Sequence, residues 1–324
     1  MDVIVVNPLA TRLRKNRRIR RQIHELFEDR AIIIDEDATR QVITVLDGLA
    51  TRETIKRIFV VGGDGTFNDI LNWIVHQPVD QQPAMMSVGG GQFCYMARYH
   101  GFSSSNPVKN LKGLFDGRLT TTIQMWRPLA LHNICSGETF CAALVANGVV
   151  SDVQRWYQSV GKGGLFTVLR IICLAGLSVS SEWLRRVIGR IKGASGTVSL
   201  DGKREGYTFY AGVVMSAIPE LMSSCRPFHG KLIDRKFYTL TYWGGLKRLV
   251  CAAPFLWFGR TPFWIKDVIQ NHPVLRAEFT TNDDELLVDG DLHRLVVNIR
   301  EKKNPRHQVR IRAGPCLPLL MVTR

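Results

Sequence analysis

The residues best able to do chemistry form a glycine-rich turn that holds one acid. The turn consists of Gly62, Gly63, Asp64, Gly65 and Thr66. Glycines allow a phosphate to approach the backbone closely because they carry no Cβ. The carboxylate of Asp64 would repel a phosphate unless a cation such as Mg²⁺ lay between them. The turn therefore predicts a site for Mg²⁺ and a nucleotide phosphate.

The residues on either side of this turn predict a strand before it and a helix after it. An apolar run ends at Val61, and Ile70, Leu71 and Ile74 recur at helical spacing. The start of such a helix offers free N–H groups and the positive end of its dipole to an anion. An ordinary strand–turn–helix connection is the alternative. The acid inside the turn, and Thr66 in a predicted helix-capping position, favour the phosphate site.

Strand and helix patterns alternate in the first part of the chain, whereas strands dominate later. This order predicts an α/β domain with a mostly parallel sheet over residues 1–119. A β-rich domain is predicted over residues 120–324, with a helical insertion at residues 153–190. We expect the last residues to pack back on the first domain.

Ligands of parallel sheets bind beyond the carboxyl ends of the strands. Three loops are expected at that edge: Asn7-Pro8, the glycine turn at residues 62–66, and a second glycine turn at residues 89–91. The topology of an α/β sheet predicts that these loops converge.

The first glycine turn, with Asn68 after it, resembles the diacylglycerol kinase catalytic-domain family, which includes bacterial lipid kinases and sphingosine kinases. The resemblance implies a Rossmann-like nucleotide domain followed by a β-sandwich-type domain with a helical insertion. It implies ATP and Mg²⁺ as cofactors. The cofactor-binding residues that it implies are Asn7, Pro8, Gly62, Gly63, Asp64, Gly65, Thr66, Asn68, Gly89, Gly90, Gly91 and Gln92.

The second glycine turn departs from the family pattern, which often reads Gly-Gly-Thr-x-Asn-x-x-Ala-Arg. Residues 90–98 align with it without a gap, but Gln92 replaces the Thr and Cys94 replaces the Asn. Gln can still form hydrogen bonds, whereas Cys is a poor donor and acceptor. The departure bears on nucleotide affinity and on the choice of lipid.

Near the C-terminus, Asp289-Gly290-Asp291 resembles the Asp-Gly-Glu motif of the same family, with Asp in place of Glu. The resemblance implies that Asp289 is the general base on a lipid hydroxyl and that Asp291 supports it. Asp64 would orient the metal-bound phosphate or the acceptor hydroxyl. Asp-Gly between two strands is also typical of a simple hairpin. Because His229 replaces an acid of the family's metal-binding segment, no structural metal ligands are assigned.

The net charge of +15, from 43 Lys and Arg against 28 acids, predicts an anionic partner. A basic run at residues 12–21 and mixed aromatic and cationic residues at 253–266 favour a peripheral site on an anionic membrane surface. The apolar residues 164–183, followed by arginines, favour the same site. Solvated surfaces and core packing are the alternatives. No nucleic acid is expected, since no recognised motif accompanies the charge.

We therefore predict a cytoplasmic protein, peripheral at the inner face of the membrane. Seven cysteines without a C-x-x-C pair indicate a reducing compartment. The predicted activity is that of an ATP-dependent lipid kinase with a diacylglycerol-like or sphingoid substrate. One alternative is a non-catalytic relative that binds lipid or nucleotide. An NAD kinase is less favoured because the sequence Asn-x-Gly-x-Leu-Gly-Phe is missing.

Overall fold

The computed structural model describes residues 1–92, 94–159, 193–204, 206–221, 225–233, 235–295 and 307–323. The chain divides into two compact units. The first is Met1–Arg127 with Pro315–Arg324, and the second is Pro128–Gly314. Most of the predicted helical insertion, the apolar residues 164–183 and the end of a strand predicted at residues 294–299 lie outside the described residues.

The helices and strands are numbered in chain order. The α-helices are α1 (Thr11–Lys15), α2 (Arg17–Phe27), α3 (Thr39–Ala50), α4 (Asp64–Val75), α5 (Tyr95–Tyr99), α6 (Pro107–Phe115), α7 (Val149–Ser159) and α8 (Leu246–Trp257). The strands are β1 (Asp2–Val6), β2 (Ile32–Asp35), β3 (Arg57–Gly62), β4 (Ala84–Gly90), β5 (Thr120–Trp126), β6 (Leu129–Asn133), β7 (Thr139–Ala142), β8 (Leu144–Gly148), β9 (Ala194–Ser195), β10 (Val198–Leu200), β11 (Lys203–Arg204), β12 (Phe209–Tyr210), β13 (Gly212–Ser216), β14 (Phe237–Tyr242), β15 (Ile269–Val274), β16 (Arg276–Thr281), β17 (Glu285–Val288), β18 (Asp291–Arg294), β19 (His307–Ala313) and β20 (Leu317–Thr323).

The first unit is a six-stranded mixed sheet with the order β2-β1-β3-β4-β20-β5. Strands β1 to β4 pair in parallel, and helices connect them. The sequence of β1 is almost wholly apolar because its residues Val3 to Val6 are buried, as strands covered on both faces require. The predicted α/β layer with a largely parallel sheet is confirmed.

Strand β5 belongs to the sheet of the first unit, although the sequence pattern placed the domain boundary before it, after residue 119. The reason is a long-range antiparallel pairing with β20, which runs from Thr120 opposite Thr323 to Trp126 opposite Leu317. Strand β20 also pairs in parallel with β4. The last residues of the chain therefore complete the first sheet.

The second unit contains two six-stranded sheets, with the orders β11-β10-β16-β19-β6-β7 and β15-β14-β13-β8-β17-β18, and a short β12-β9 pair. All of their described pairings are antiparallel. The prediction of antiparallel sheets after the parallel one is confirmed. Helix α7 is the described part of the predicted helical insertion, and it begins directly after β8.

Candidate functional site

The first glycine turn connects β3 to α4. Gly63 is the N-cap residue, with φ −86° and ψ 179°, and the helix begins at Asp64. Thr66 therefore lies in the first turn of α4, and its predicted role as the capping residue is wrong. Its hydroxyl accepts a hydrogen bond from Asn7 Nδ2 at 2.8 Å. The first N–H groups of a helix, here those of Gly65 and Thr66, have no acceptor within the helix.

The two glycine turns of the first unit are in direct backbone contact. The N–H of Gly91 donates to the carbonyl of Gly62 at 2.8 Å. A Cβ on Gly91 would lie 2.5 Å from the Cα of Gly63, which is closer than atoms can approach. Gly90 has φ +121°, a conformation that favours glycine. Gly91 is therefore required by the packing of one turn on the other, and Gly90 by its backbone conformation.

Asn7 connects the first loop to the same place. Its backbone N–H donates to the carbonyl of Val61 at 2.9 Å, and its side-chain oxygen accepts from the N–H of Leu9 at 2.9 Å. Together with the bond to Thr66, these contacts hold the Asn7-Pro8 loop against the end of β3. The predicted convergence of three loops is present in the first unit.

Asp64 directs its carboxylate toward the second glycine turn. The residue is only 8% exposed, and its oxygens accept from the N–H groups of Met96 at 3.1 Å and Tyr95 at 3.4 Å. These N–H groups lie at the start of α5, whose N-cap residue Cys94 has φ +49° and makes no side-chain cap. Asp64 therefore caps α5 from a different helix.

The environment of Cys94 keeps its thiol neutral. Burial, and to a smaller extent the charge of Asp64, raises the pKa of Cys94 to about 11, although the charge of Arg12 opposes this. A neutral thiol stands where the family pattern has an amide. The exposed Arg12 belongs to the helix that packs on the second glycine turn, since Leu13 Cδ1 lies 3.0 Å from where a Cβ on Gly90 would be. In the sequence, Arg12 stands out only as part of the basic run at residues 12–21. Its position five residues after Asn7 is the feature that could have linked it to the site.

Two other predicted cofactor-binding residues lie farther along the same elements. Asn68 is in α4, and its backbone and side-chain oxygens accept from Asn72 Nδ2 at 2.9 and 2.8 Å. Gln92 is half-buried directly after Gly91, and the next residue, Phe93, lies outside the described residues.

In the second unit, Asp289 and Gly290 form the two-residue loop of the hairpin between β17 and β18. Val288 pairs with Asp291 across this loop. Asp289 has φ +47° and Gly290 has φ +96°, as a type I′ turn requires. The hairpin interpretation of the motif is therefore correct for the backbone.

Asp289 uses its carboxylate to hold the hairpin. The residue is 2% exposed, and its oxygens accept from the N–H groups of Ala143 at 3.0 Å and Leu144 at 2.7 Å. Its own N–H donates to the carbonyl of Leu144 at 3.0 Å. Protonating this carboxylate would weaken the bonds that it accepts, so they oppose its action as a base.

A second Asp-Gly turn in the same unit shows the same use of a carboxylate. Asp201 and Gly202, with φ +50° and +82°, join β10 to β11. The Asp201 carboxylate accepts from the N–H groups of Leu275 at 2.8 Å and Arg276 at 2.9 Å. Unlike Asp289, Asp201 is exposed. Binding to neighbouring backbone N–H groups is therefore a structural device that recurs in this unit.

Asp291 has a different environment. It has no hydrogen-bond or ion-pair partner within the part of the chain that the structure describes. Although the residue is exposed, desolvation raises the pKa of the Asp291 carboxyl. A carboxylate without competing hydrogen bonds and with a raised pKa is better suited than Asp289 to accept a proton.

Helix α7 positions the hairpin through a residue that sequence reasoning missed. The side-chain amide of Gln154 donates to the carbonyl of Gly290 at 2.6 Å. The next residue, Arg155, forms ion pairs with Asp152, Asp283 and Glu285. No sequence signal connects α7 to a turn 136 residues later.

No preformed cage for a metal ion is evident in the described ranges. No group of three or more His, Cys, Asp or Glu side chains is placed there to hold a metal. The Nε2 atom of His229 lies 3.4 Å from the hydroxyl of Thr261. The backbone N–H of His229 donates to Asn271 Oδ1. Asp234, the next acid after His229 in the chain, lies outside the described residues.

Comparison with known proteins agrees with the geometry of the first unit. Residues 2–125 match the family model described as the diacylglycerol kinase catalytic domain. The resemblance to this family is confirmed. The match covers the three converging loops and ends within β5. No curated protein matches the chain.

Solved structures show the same fold over nearly the whole chain. A candidate diacylglycerol kinase from Bacillus anthracis str. Sterne is 15% identical with a TM-score of 0.64, and the match covers 98% of this chain and 96% of that chain. A structure described as a diacylglycerol kinase from the same organism is 13% identical with a TM-score of 0.58, covering 98% and 95%. At such identities the likeness shows the fold alone.

Proposed function

We propose that the protein is an ATP-dependent lipid kinase that transfers the γ-phosphoryl group to the hydroxyl of a diacylglycerol-like or sphingoid lipid. The observation that carries this proposal is the packing of two glycine turns at the start of α4, inside residues that match a kinase catalytic domain. The combination supports phosphate binding more strongly than the motif alone, because both turns and the Asn7 loop present backbone to one place.

The proposed nucleotide site uses the N–H groups of Gly63, Gly65 and Thr66 to bind phosphate oxygens. There is room for a phosphate at this turn. Even a Cβ placed on Gly63 would meet only the Cα of Gly91, 3.9 Å away, so the backbone of Gly63 is open on that side. The exposed Arg12 would add a positive charge. Mg²⁺ would neutralise charge on the transferred phosphoryl group. Asp64 is the carboxylate proposed to face the Mg²⁺ ion. Phosphate oxygens and water would supply the other ligands of the ion.

For the proton of the lipid hydroxyl, we propose Asp291 as the acceptor and Asp289 as the residue that positions it. This reverses the roles implied by the family resemblance. The support is the difference in contacts: Asp289 binds two backbone N–H groups, whereas Asp291 has a raised pKa and no partner in the described residues.

The proposed location is the cytoplasm, at the inner, anionic face of a membrane, where a lipid substrate resides. None of the described helices is long and apolar enough to cross a membrane. The net charge of +15 supports attraction to an anionic surface, and no nucleic-acid partner is proposed.

A non-catalytic protein that binds lipid or nucleotide is the second candidate. The observations that favour it are the replacements at Gln92 and Cys94, together with the engagement of Asp64 and Asp289 by backbone N–H groups.

One experiment separates the candidates. Purified protein is incubated with γ-labelled ATP, Mg²⁺ and a panel of diacylglycerols and sphingoid bases, and ATP binding is measured by calorimetry on the same sample. Labelled lipid that depends on Mg²⁺ is the expected result. ATP binding without labelled lipid would favour the non-catalytic candidate. Absence of both would overturn the nucleotide site and the kinase proposal together.

A further inference from the structure

Helix α8 of the second unit has two apolar sides, and only one of them is buried. Ala252 and Leu256 pack into a core cluster with Ile265. The opposite side carries exposed residues at i, i+3, i+4 and i+7 spacing: Cys251, Pro254, Phe255 and Phe258. A globular helix normally turns polar residues to solvent, so a second apolar stripe indicates a surface that meets an apolar partner.

Two more aromatic rings extend this stripe. Phe263 and Trp264 lie in a short 3-10 turn just after α8. Trp264 contacts Phe255 with ring centroids 5.5 Å apart and Phe263 at 5.2 Å. We call Phe255, Phe258, Phe263 and Trp264 the aromatic face. Phe258 and Phe263 are 75% and 78% exposed, which is far more than a core or a loosely covered ring would show.

Backbone hydrogen bonds fix the end of α8, which carries Phe255 and Phe258 of the aromatic face. At the end of α8 the N–H of Arg260 donates to the carbonyl of Phe255, and the N–H of Gly259 donates to that of Leu256. This is a Schellman motif, with Gly259 at φ +69°. The backbone N–H of the loop residue Arg226 donates to the carbonyl of Trp257 at 2.9 Å. Insertion of these rings would therefore cost little ordering entropy.

The rim of the aromatic face is cationic. Lys247, Arg248, Arg260 and Lys266 are exposed along α8 and the turn after it. Among the described residues, Asp267 is an exposed acid beside them, and Glu220 is paired with Arg226. A second copy of the chain would place like charges against each other, whereas an anionic bilayer would attract this rim. Rings that reach the acyl boundary with cations at the headgroups are typical of interfacial anchors.

We infer that the aromatic face is the membrane-docking surface of this protein, inserting Phe258 and Phe263 into the interface of an anionic bilayer. The inference rests on the proposed function in one respect: a lipid kinase must reach a membrane to meet its substrate. Vesicle binding is measured without ATP, so failure of docking and failure of phosphoryl transfer are separate results.

The test is sedimentation with vesicles of phosphatidylcholine containing about one third phosphatidylglycerol. We expect Phe258→Ser/Phe263→Ser to lower the partition coefficient at least about tenfold, because two rings lose apolar burial. The matched control is Val79→Ser/Ile123→Ser, which removes side chains that are 84% and 64% exposed elsewhere, and it should bind as the wild type does. If melting shows that the double variant is unfolded, Phe263→Ser alone replaces it.

A second arm tests the rim. Arg260→Gln/Lys266→Gln should weaken binding to the anionic vesicles by about fivefold per charge and leave binding to pure phosphatidylcholine unchanged. Wild-type binding by the folded Phe variant, or no binding by the wild type, would overturn the inference. So would a dimer of the wild type, seen by light scattering, that the Phe variant converts to a monomer, since the aromatic face would then join two copies.

Discussion

Replacing Asp289 by Asn should mainly lower stability, whereas replacing Asp291 by Asn should mainly lower turnover. In Asp289→Asn one amide oxygen can still accept from Ala143 or Leu144, but the new NH₂ group faces the other N–H. A buried donor left unsatisfied costs about 1–3 kcal/mol. In a unit of this size each kcal/mol lowers the melting temperature by about 2–4 °C. Asn tolerates positive φ, so the φ of +47° adds no strain.

Asp291→Asn should not lower the melting temperature, and should raise it slightly at neutral pH, because the side chain has no partner in the described residues and desolvation disfavours its charge. If Asp291 accepts the proton, turnover per folded molecule should fall by about 10²–10⁴-fold. The matched control is Asp201→Asn, which alters the same kind of turn with an exposed carboxylate. Water can satisfy the N–H groups there, so we expect a smaller loss of stability and normal turnover.

The assay is thermal melting and lipid-kinase turnover on the same samples of the three variants. An Asp289→Asn protein that melts like the wild type would refute the reasoning from its hydrogen bonds. An Asp291→Asn protein with normal turnover would remove Asp291 as the proton acceptor. Loss of turnover in Asp289→Asn by about 10²–10⁴-fold per folded molecule, together with normal turnover in Asp291→Asn, would return the role of base to Asp289.

Three further predictions concern the first unit. Gly63→Ala should melt like the wild type but bind ATP more weakly in calorimetry, whereas Gly91→Ala should unfold more easily because its Cβ would lie 2.5 Å from the backbone of Gly63. Asp64→Asn should abolish turnover. It should also lower the free energy of unfolding by about 1 kcal/mol in urea titrations, because the Asp64 carboxylate caps α5. An unchanged urea midpoint would refute the cap. Burial lowers the pKa of His100 from 6.5 to about 4, so the unfolded chain binds a proton in this range that the native ring does not. Stability should fall as the pH is lowered from 6.5 to 4, by up to about 3 kcal/mol, and the melting temperature of His100→Asn should depend less on pH.

Local patterns were sufficient to predict the connection from β3 through the glycine turn to α4. The apolar run before Gly62 and the helical spacing after it depend only on neighbouring residues. The contact of Gly91 with Gly63 depends on two strands that lie side by side in the sheet, so the sequence could place both turns at one edge without showing that they touch. The capping of α5 by Asp64 was missed for the same reason.

Pairings across long stretches of sequence explain the other differences. The β5 strand looks like the start of a strand-rich domain, because neighbouring strands follow it. Its partner β20 comes about 190 residues later, beyond the whole second unit, and no local pattern predicts that pairing. The hydrogen bonds of Asp289 likewise reach back to Ala143 and Leu144, 146 and 145 residues earlier.

The Asp-Gly motif shows how residue type and chemical role can separate. A motif specifies that a carboxylate stands at a turn, but the atoms it contacts decide whether it is available for chemistry. Asp201 and Asp289 occupy the same turn position with the same backbone conformation, and both carboxylates are engaged by two backbone N–H groups. Asp291 differs because it begins β18, has no hydrogen-bond partner in the described residues, and has a pKa that desolvation raises. The acid that the hairpin holds in place, rather than the acid that shapes the hairpin, is therefore the better candidate for proton transfer.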